Sequence, residues 1–392
     1  MKILLVSPTF PPRKFGGMTI ASYNLGKSLV ELGHGVTVYT TDVNDTHSRI
    51  RDAEGVKSME GMHVRYFKNI INLLAARRLY LPKRLVTVTK TELKNFDVIH
   101  LNEFRSLLSI IVHHYAKKYS IPYVLQAHGS VGTYFQKGVL KRVFDRIWGC
   151  RILKDASKVI ALTSAEAEQY KRMGVSEGKI EIVPNGINLS EFENLPRKGE
   201  LRRKYRLNQN QKIILYLTRI NKVKGPDLLV KSFAELSKEI DKVKLIIAGP
   251  DDGYLPILKK LLKELAIEEK VIFTGPLYGR DKLRAYVDAD VYVLPSRYET
   301  FPVGVLEAFA CGTPVVVTDR CGIADVINDQ AGLVVPWDKE HLSNAMLYML
   351  SDNEKRREFG EKGRLLVREK FNWEKVGEQV EQVYLGCTSS KC

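Results

Sequence analysis

The chain has 392 residues, which is too long for one ordinary hydrophobic core and suits two domains of about 190 residues each. Hydrophobic residues make up 44% and charged residues 27%, a composition that excludes a largely disordered chain. No apolar run approaches the roughly 18 residues that span a bilayer, and the first run stops at Ser7-Pro8, too early for a secretory signal. The five cysteines show no C-x-x-C spacing, so neither a disulfide scaffold nor a zinc site is expected, and we predict a cytoplasmic protein.

The positive charge is concentrated in one quarter of the chain. Lys and Arg number 61 against 45 Asp and Glu, which gives a net charge of +16. Residues 61–158 contain 18 Lys and Arg but only 5 Asp and Glu, whereas residues 191–392 contain 33 and 30. This asymmetry indicates that an anionic partner or surface lies next to the first half of the chain.

Strand-like and helix-like segments alternate through both halves. The first strand-like run is followed by an amphipathic helix over 19–32, for which Gly33 provides the stop. The unbroken Val, Ile and Leu runs are typical of strands buried on both faces of a parallel sheet. The predicted strands are residues 3–6, 36–39, 98–101, 123–125, 159–161 and 180–183 in the first half, and 213–217, 245–248, 271–273, 291–294, 314–317 and 333–335 in the second.

This alternation predicts two doubly wound α/β domains, with ligands bound near the carboxyl ends of the strands. The first domain spans residues 1–188 and the second spans 212–372. Residues 189–211 are rich in Asn, Lys, Arg and Gln and poor in apolar residues, so they are predicted to be a linker.

Two short motifs match known ligand-binding patterns but lie in the wrong context. Gly26-Lys27-Ser28 ends a near match to a phosphate-binding loop, yet the strand ends well before it and the residues already have helical spacing. Asp288-Ala289-Asp290 resembles a metal-binding D-x-D, but it joins a helix to a strand, where Asp290 is expected to serve the turn. We therefore favour ordinary structural roles for both.

Two glutamates flank a turn that opens a helix. Segment 296–307 follows the strand 291–294, and Gly312 and Pro314 end the helix that it begins. A helix start offers unpaired N–H groups to an anion, while Glu299 and Glu307 can accept hydrogen bonds from hydroxyls. A sugar attached to a nucleotide diphosphate satisfies both; the alternative is an acidic helix start without a ligand.

Arg219 and Lys224 follow another strand of the second half, 213–217, and Pro226 then opens a helix. Two cations at the carboxyl end of a strand can neutralise a diphosphate, the arginine through its planar fork and the lysine as a mobile charge. A solvated basic loop is the alternative.

Together these motifs resemble those of retaining glycosyltransferases of family 4, which have the GT-B fold of two Rossmann-like domains facing each other across a cleft. The hallmark of that family is two glutamates separated by seven residues, and Glu299 and Glu307 match it. The resemblance runs from Lys2 to about Trp373. Further matches are Gly16-Gly17, His128-Gly129, Val183-Pro184-Asn185-Gly186-Ile187, Arg219 with Lys224-Gly225, residues 245–249 and residues 294–296.

The resemblance implies that the first domain binds the acceptor and the second binds the nucleotide sugar. A C-terminal helix over 373–386 is predicted to cross back to the first domain, and the final residues 387–392 are predicted to be a loose tail. The nucleotide sugar is a co-substrate, and no metal or other cofactor is expected because cations and a helix start meet the diphosphate charge.

The family also implies residue roles. Arg219 and Lys224 hold the diphosphate as leaving group, Glu299 contacts sugar hydroxyls, and His128 lies against the sugar. Glu307 accepts hydrogen bonds from the ribose. These implied catalytic residues are His128, Glu299, Arg219 and Lys224, and the implied donor-binding residues are Gly16, Gly17, Arg219, Lys224, Glu299, Phe301, Pro302, Val303, Gly304, Val305, Leu306 and Glu307. His100 and Asn102 are placed on the acceptor side.

The chain departs from the family pattern at two points. Many members have Phe-Gly after the first glutamate, whereas Phe301-Pro302 stands here and removes one backbone N–H donor. Relatives often carry a Gly-Gly loop after the next strand, where this chain has Arg320-Cys321-Gly322-Ile323. Both changes bear on the identity of the sugar rather than on the reaction class.

The predicted function is the transfer of a hexose, with retention, from a nucleotide diphosphate sugar to a saccharide or lipid-linked saccharide in cell-surface glycan synthesis. One alternative is a GT-B-fold sugar-nucleotide epimerase, which the cation and glutamate pattern disfavours. The other is a basic nucleic-acid-binding protein, but no RNP motif or helix-turn-helix supports a nucleic-acid partner.

A stretch over 137–148 repeats apolar residues at helical spacing with Lys and Arg between them. Such a helix can lie on anionic lipid, or it can be a core helix with a solvated basic face. The first interpretation makes residues 61–158 an anionic-membrane contact and the protein peripheral on the inner membrane face.

Overall fold

The computed structural model describes residues 1–12, 16–45, 48–50, 55–77, 79–132, 138–328 and 330–389. Lys137, at the start of the predicted amphipathic stretch, and residues 390–392 of the predicted tail lie outside the described residues. The chain divides into two compact units, one of Met1–Asn185 with Trp373–Cys392 and one of Gly186–Asn372.

The first unit is built on an eight-stranded sheet with the order β3-β4-β2-β1-β5-β6-β7-β8. Every pairing is parallel except β3 with β4. The strands are β1 (Lys2–Val6), β2 (Gly35–Thr41), β3 (Gly55–Met59), β4 (Met62–Phe67), β5 (Val98–Leu101), β6 (Tyr123–Gln126), β7 (Lys158–Ala161) and β8 (Ile180–Ile182). The helices are α1 (Gly17–Glu31), α2 (Leu85–Glu92), α3 (Leu107–Tyr119), α4 (Gly138–Phe144), α5 (Cys150–Asp155) and α6 (Ser164–Arg172).

All six strands predicted in the first half are present, and the structure adds β3 and β4. The two form an antiparallel pair at the edge of the sheet, where β3 is mostly exposed. The sequence pattern missed this pair because β3 is exposed and β4 alternates buried apolar residues with the more exposed His63 and Arg65, so neither has a continuous apolar run.

The last helix, α15 (Trp373–Thr388), belongs to the first unit and packs on α1. Ser28 Oγ donates to the Trp373 carbonyl at 2.8 Å, and His34 bonds to Glu381 at 2.7 Å. A Cβ on Gly377 would lie 2.0 Å from Ser28 Oγ, so only glycine allows this approach. The predicted tail at 387–392 therefore begins too early, because the helix continues to Thr388 and buries Cys387 against the sheet core.

The second unit contains a six-stranded, all-parallel sheet with the order β11-β10-β9-β12-β13-β14. All six predicted strands are present. They are β9 (Lys212–Leu217), β10 (Val243–Ala248), β11 (Val271–Gly275), β12 (Val291–Leu294), β13 (Val315–Thr318) and β14 (Gly332–Val335). The helices are α7 (Glu200–Lys204), α8 (Pro226–Glu239), α9 (Leu255–Glu264), α10 (Gly279–Asp288), α11 (Val303–Ala310), α12 (Ala324–Ile327), α13 (Lys339–Ser351) and α14 (Asn353–Lys370).

The prediction of a linker at 189–211 is corrected by the structure, because these residues are folded into the second unit. The Asp288 carboxylate accepts hydrogen bonds from the backbone N–H groups of Gly199, Leu201 and Arg202 at the start of α7. The buried Arg202 guanidinium also pairs with Asp290 at 3.3 Å. The polar composition of 189–211 was misleading because its charged residue Arg202 is buried and paired. The same contacts give Asp288-Ala289-Asp290 a structural role.

Among the described helices, none combines the length and the apolar character needed to cross a bilayer.

Candidate active site

The turn after β9 places Lys224 at the carboxyl edge of the second sheet. Asn221 opens the turn, and its side chain accepts a hydrogen bond from the Lys224 N–H at 3.1 Å. Gly225 closes the turn with a φ of +67°, and a Cβ there would lie 1.9 Å from the Pro295 carbonyl oxygen. The glycine after the lysine is therefore required for the turn to pack against the end of β12.

Arg297, which no motif singles out, fastens this turn from the other side. Its N–H donates to the Val223 carbonyl at 2.7 Å, and its Nε donates to the Lys222 carbonyl at 3.0 Å. The same guanidinium bonds to Asp227 at 2.5 Å and lies 4.2 Å from the centre of the Trp337 ring. The lysine turn is thus held by the segment that carries the first glutamate.

Glu299 contacts Lys224 directly through an ion pair between Nζ and Oε2, and both side chains are largely buried. The backbone of Glu299 is fixed by the loop after β13. The Glu299 N–H donates to the Arg320 carbonyl at 3.2 Å, and the Gly322 N–H donates to the Glu299 carbonyl at 2.7 Å. A Cβ on Gly322 would lie 2.1 Å from the Thr300 carbonyl oxygen, so the loop that departs from the family pattern still needs its one glycine at this point.

The start of α11 lies between the two glutamates. Pro302 precedes the helix, and Val305 N–H donates to the Pro302 carbonyl at 3.0 Å. Helix geometry leaves the amides of Val303 and Gly304 without an intrahelical acceptor. A Cβ on Gly304 would lie 2.8 Å from the Tyr292 hydroxyl, so a larger residue would push the helix start away from the sheet.

Phe301 and Leu306, both predicted to bind the donor, are buried side chains. The Phe301 ring packs 5.9 Å from the ring of Phe371. The structure therefore gives these two side chains a packing role beneath the helix start, and any contact with a ligand would come from their backbone.

Glu307 lies one turn into α11 and is held by two residues of α10. Lys282 Nζ bonds to Oε1 at 2.6 Å, and the Tyr286 hydroxyl donates to Oε2 at 3.0 Å. Burial and the neighbouring carboxylate raise the pKa of Tyr286 well above its usual value, so the phenol stays protonated and remains a donor. Sequence reasoning missed both partners because neither belongs to a recognisable motif.

Arg219 has a different partner from Lys224. Its Nη1 donates to Asp252 at 3.0 Å, and Asn221 bonds to the same carboxylate oxygen. The Arg219 side chain is 61% exposed. The structure therefore brings Lys224 and Glu299 together, whereas the Arg219 guanidinium contacts Asp252 in the loop after β10.

In the first unit, His128 follows β6 in a turn held by two buried side chains. Ala127 N–H donates to the Tyr170 hydroxyl at 2.9 Å, and Gly129 N–H donates to Glu166 at 2.6 Å. His128 has a φ of +49°, an unusual conformation for a histidine. The second Glu166 oxygen accepts from Leu162 N–H at 2.8 Å, so the carboxylate joins this turn to the next strand.

The polar residues predicted on the acceptor side, His100 and Asn102, are completely buried. Asn102 Oδ1 lies 3.1 Å from His128 Nε2, and His100 Nδ1 bonds to the Tyr384 hydroxyl of α15 at 2.7 Å. Burial lowers the pKa of His128 to about 4 and that of His100 to about 3. Both imidazoles are therefore neutral at pH 7. Asn102 supports the His128 side chain, whereas His100 bonds to α15.

The glycine pair of the first loop also has separable roles. Gly16 precedes α1 with a φ of +114°, a conformation that favours glycine. A Cβ on Gly17 would meet no heavy atom within 4 Å among the described residues. Backbone conformation thus explains Gly16, whereas the described residues do not require a glycine at Gly17.

Comparison with known families accounts for both units. Residues 15–191 match the model of Glycosyltransferase Family 4, and residues 197–366 match the model of Glycosyl transferases group 1. Together the two models cover most of the chain. The chain belongs to the family 4 glycosyltransferases.

This glycosyltransferase is similar over nearly its whole length to other members. It is 28% identical to an uncharacterised glycosyltransferase of Methanocaldococcus jannaschii, over 98% of each chain. It is 29% identical to the alpha-monoglucosyldiacylglycerol synthase of Streptococcus pneumoniae, over 89% of this chain and 78% of that one. The structure of Anabaena HepE in complex with UDP superposes with a TM-score of 0.79 at 18% identity, over 97% of this chain and 99% of that one. The two-unit α/β architecture is therefore the GT-B fold.

The buried His100 makes the glycosyltransferase sensitive to acid. Its folded pKa of about 3 lies below the usual value near 6.5, so between these pH values the unfolded chain binds a proton that the folded chain does not. Stability is full above about pH 6.5 and falls as the pH drops toward 3, by up to about 1.4 kcal/mol per pH unit.

We expect His100→Gln to lose this share of the pH dependence. Urea unfolding of both proteins between pH 7 and 4.5 measures this share. The unfolding free energy of wild type should fall by about 2–3 kcal/mol more than that of His100→Gln across that range. Parallel curves for the two proteins would contradict the assignment of His100 as a buried neutral imidazole.

Proposed function

We propose that this glycosyltransferase moves a hexose from a nucleotide diphosphate sugar to a saccharide or lipid-linked saccharide, with retention of the anomeric configuration. The observation that carries the proposal is the contact of Lys224 with Glu299 beside the start of α11. This arrangement places a cation for phosphate next to a carboxylate for hydroxyls. Glu307 supplies a second carboxylate one turn along the same helix.

The charge of the diphosphate would be met by three groups of the second unit. Lys224 offers its ammonium, and the amides of Val303 and Gly304 offer N–H donors at the start of α11. Arg219 pairs with Asp252 at an exposed position, and exposed ion pairs contribute little, so a diphosphate could displace the aspartate.

The chemical step would be the departure of the diphosphate while positive charge develops on the sugar ring. Stabilising the leaving diphosphate is the main contribution proposed for Lys224 and Arg219. His128, neutral and held by Asn102 in the first unit, is proposed to exchange hydrogen bonds with a sugar hydroxyl. We propose front-face transfer without a metal ion, because these cations can supply the charge that a metal would otherwise provide.

The donor and acceptor classes draw support from the relatives. Anabaena HepE was solved with UDP, which supports a nucleoside diphosphate donor here. The name of the Streptococcus pneumoniae relative places a glucosyl group on diacylglycerol, which supports an acceptor carried by a lipid. We propose that the protein is cytoplasmic and works on such acceptors at the inner membrane face, as part of cell-surface glycan synthesis.

The surface of the first unit supports a membrane contact. Of the 19 exposed large apolar side chains among the described residues, 11 lie between Ile70 and Trp148, inside the most basic quarter of the chain. On α4, Val139 is 66% and Leu140 is 67% exposed. The alternative of a core helix with a basic outer face does not fit, because the apolar side of α4 faces outward.

The basic residues around this apolar surface determine its proposed partner. Residues 138–158 contain six Lys and Arg and two Asp, and Asp145 is already paired with Arg105 at 2.7 Å. An apolar surface in a segment where cations outnumber carboxylates suits anionic lipid, into which aliphatic side chains insert while the cations meet phosphate.

We expect the protein to sediment with vesicles that contain phosphatidylglycerol and not with vesicles of phosphatidylcholine alone. Replacing Val139, Leu140 and Ile147 together by serine should reduce the bound fraction at least about tenfold, because three inserted side chains are lost. The control replaces Ile257 and Leu365 by serine, two apolar side chains of the second unit that are also more than half exposed. Equal binding by the variant and the control would contradict a contact through residues 139–147.

The reaction itself is tested by product analysis. Incubation of the protein with a nucleotide sugar and a lipid-linked saccharide should add one hexose to the acceptor by mass, with the donor's anomeric configuration by proton NMR, and EDTA should not slow it. A change of the donor sugar without transfer would favour the epimerase alternative. DNA retention that is insensitive to nucleotide sugars would favour nucleic-acid binding.

A further inference from the structure

The carboxylate of Glu307 is held by one protein donor on each oxygen. Lys282 Nζ lies 2.6 Å from Oε1, and the Tyr286 hydroxyl lies 3.0 Å from Oε2. The Lys282 and Glu307 side chains are only 20% and 17% exposed. Both donors come from consecutive turns of α10, so one rigid helix fixes the plane of the carboxylate.

This arrangement leaves a defined acceptor capacity. Each oxygen of an ionised carboxylate can accept about two hydrogen bonds, so the bonds from Lys282 and Tyr286 leave about one free position per oxygen. Two neighbouring hydroxyls, such as the 2′- and 3′-hydroxyls of a ribose, match two free positions on one carboxylate. A freely rotating carboxylate would present the same atoms without a fixed orientation.

The charge of Lys282 has a second consequence. A diphosphate bound at the start of α11 would be repelled by an unpaired Glu307, which lies one turn along that helix. The ion pair with Lys282 neutralises this carboxylate, as Lys224 neutralises Glu299. Tyr286 is neutral and cannot neutralise the charge of Glu307, so only Lys282 of the two donors does so.

We propose that Lys282 is a positioning residue for the ribose of the donor nucleotide. It acts through Glu307 by fixing the carboxylate so that its two free acceptor positions meet the ribose diol. This inference rests on the proposed function, since it requires a nucleotide at the glutamate pair, and it assigns the discrimination between ribose and deoxyribose to Lys282.

The test compares the binding of nucleoside diphosphates with that of their 2′-deoxy forms. Wild-type protein is titrated by calorimetry with UDP, GDP and ADP, and the best ligand is then compared with its 2′-deoxy counterpart. We expect wild type to favour the ribonucleotide by about tenfold or more, the usual effect of a hydrogen bond to a charged group. Lys282→Met should reduce that ratio to about threefold or less, and Lys282→Arg should keep most of it.

Lys238→Met is the matched control, because Lys238 forms a comparable lysine–glutamate pair with Glu235 at 2.8 Å on an exposed surface. This control should retain the wild-type ratio. If Lys282→Met does not fold, Lys282→Gln replaces it, because glutamine keeps a hydrogen-bond donor without the charge. Its ratio of ribonucleotide to 2′-deoxynucleotide affinity is expected to be lower than that of wild type and of Lys282→Arg.

An unchanged ratio in Lys282→Met, or an equal loss of affinity for both forms, would overturn the proposal, because a general charge effect would not distinguish ribose from deoxyribose. Either result would leave the proposed function standing, since wild type would still bind a nucleotide. Failure of wild type to bind any of the three nucleotides would instead contradict the proposed function.

Discussion

Replacing Lys224 by methionine is expected to lower kcat/KM by roughly 10²- to 10³-fold, or about 3–4 kcal/mol of transition-state stabilisation. Lys224 is the buried cation in contact with Glu299, and its turn is pinned to Pro295 through Gly225. Its loss removes positive charge from the leaving diphosphate and leaves Glu299 unpaired in the same place. Steady-state transfer kinetics with a saturating acceptor measure the effect.

A double variant tests whether the unpaired carboxylate alone causes the loss of activity. Lys224→Met combined with Glu299→Gln removes the unpaired carboxylate, so it should recover thermal stability but not activity. Lys238→Met, at an exposed ion pair, should change kcat/KM by less than about twofold. Recovery of most of the activity in the double variant would contradict the role of Lys224 in stabilising the leaving group.

Replacing Asp288 by alanine is expected to destabilise the second unit by about 3–5 kcal/mol. Asp288 is 1% exposed and accepts hydrogen bonds from three backbone N–H groups at the start of α7. Its removal leaves those donors buried without an acceptor and takes a negative charge from the surroundings of Arg202. Thermal unfolding should show a fall in Tm of roughly 6–15 °C, and urea unfolding should give the free energy directly.

Asp281 provides the control on the same helix. It pairs with the exposed Lys204 at 2.9 Å, so Asp281→Ala should cost less than about 1 kcal/mol. Similar losses for Asp288→Ala and Asp281→Ala would contradict the conclusion that Asp288 anchors residues 189–211 to the second unit.

The strands could be predicted from the sequence because buried parallel strands leave a direct mark. All twelve predicted runs correspond to strands, including β5 (Val98–Leu101) and β12 (Val291–Leu294), whose ends match the prediction. The pair β3–β4 left no such mark, because β3 is exposed and β4 alternates buried with more exposed residues. The 189–211 segment was misplaced for a related reason: burial of Arg202 depends on Asp288, 86 residues away.

The residues of the candidate site also divide into those with a local sequence signal and those that depend on contacts between distant segments. Lys224, Glu299 and Glu307 could be predicted because each lies within a few residues of a strand end or a helix start. Their partners could not be predicted, because Lys282 and Arg297 act through contacts between separate elements. Burial also had to be observed: His100 has the sequence context of a surface ligand, but the structure buries it completely and bonds it to Tyr384 of α15.

The central claim is that the second unit binds a nucleotide diphosphate sugar at Lys224 and Glu307. Saturation-transfer NMR against UDP-, GDP- and ADP-sugars tests it most directly, with Glu307→Gln and Lys224→Met as variants and Glu235→Gln, at an exposed surface ion pair, as the control. The account predicts that wild type and Glu235→Gln bind one donor selectively and that both site variants lose it. Folded wild type that binds no donor, or site variants that bind as well as the control, would contradict the account.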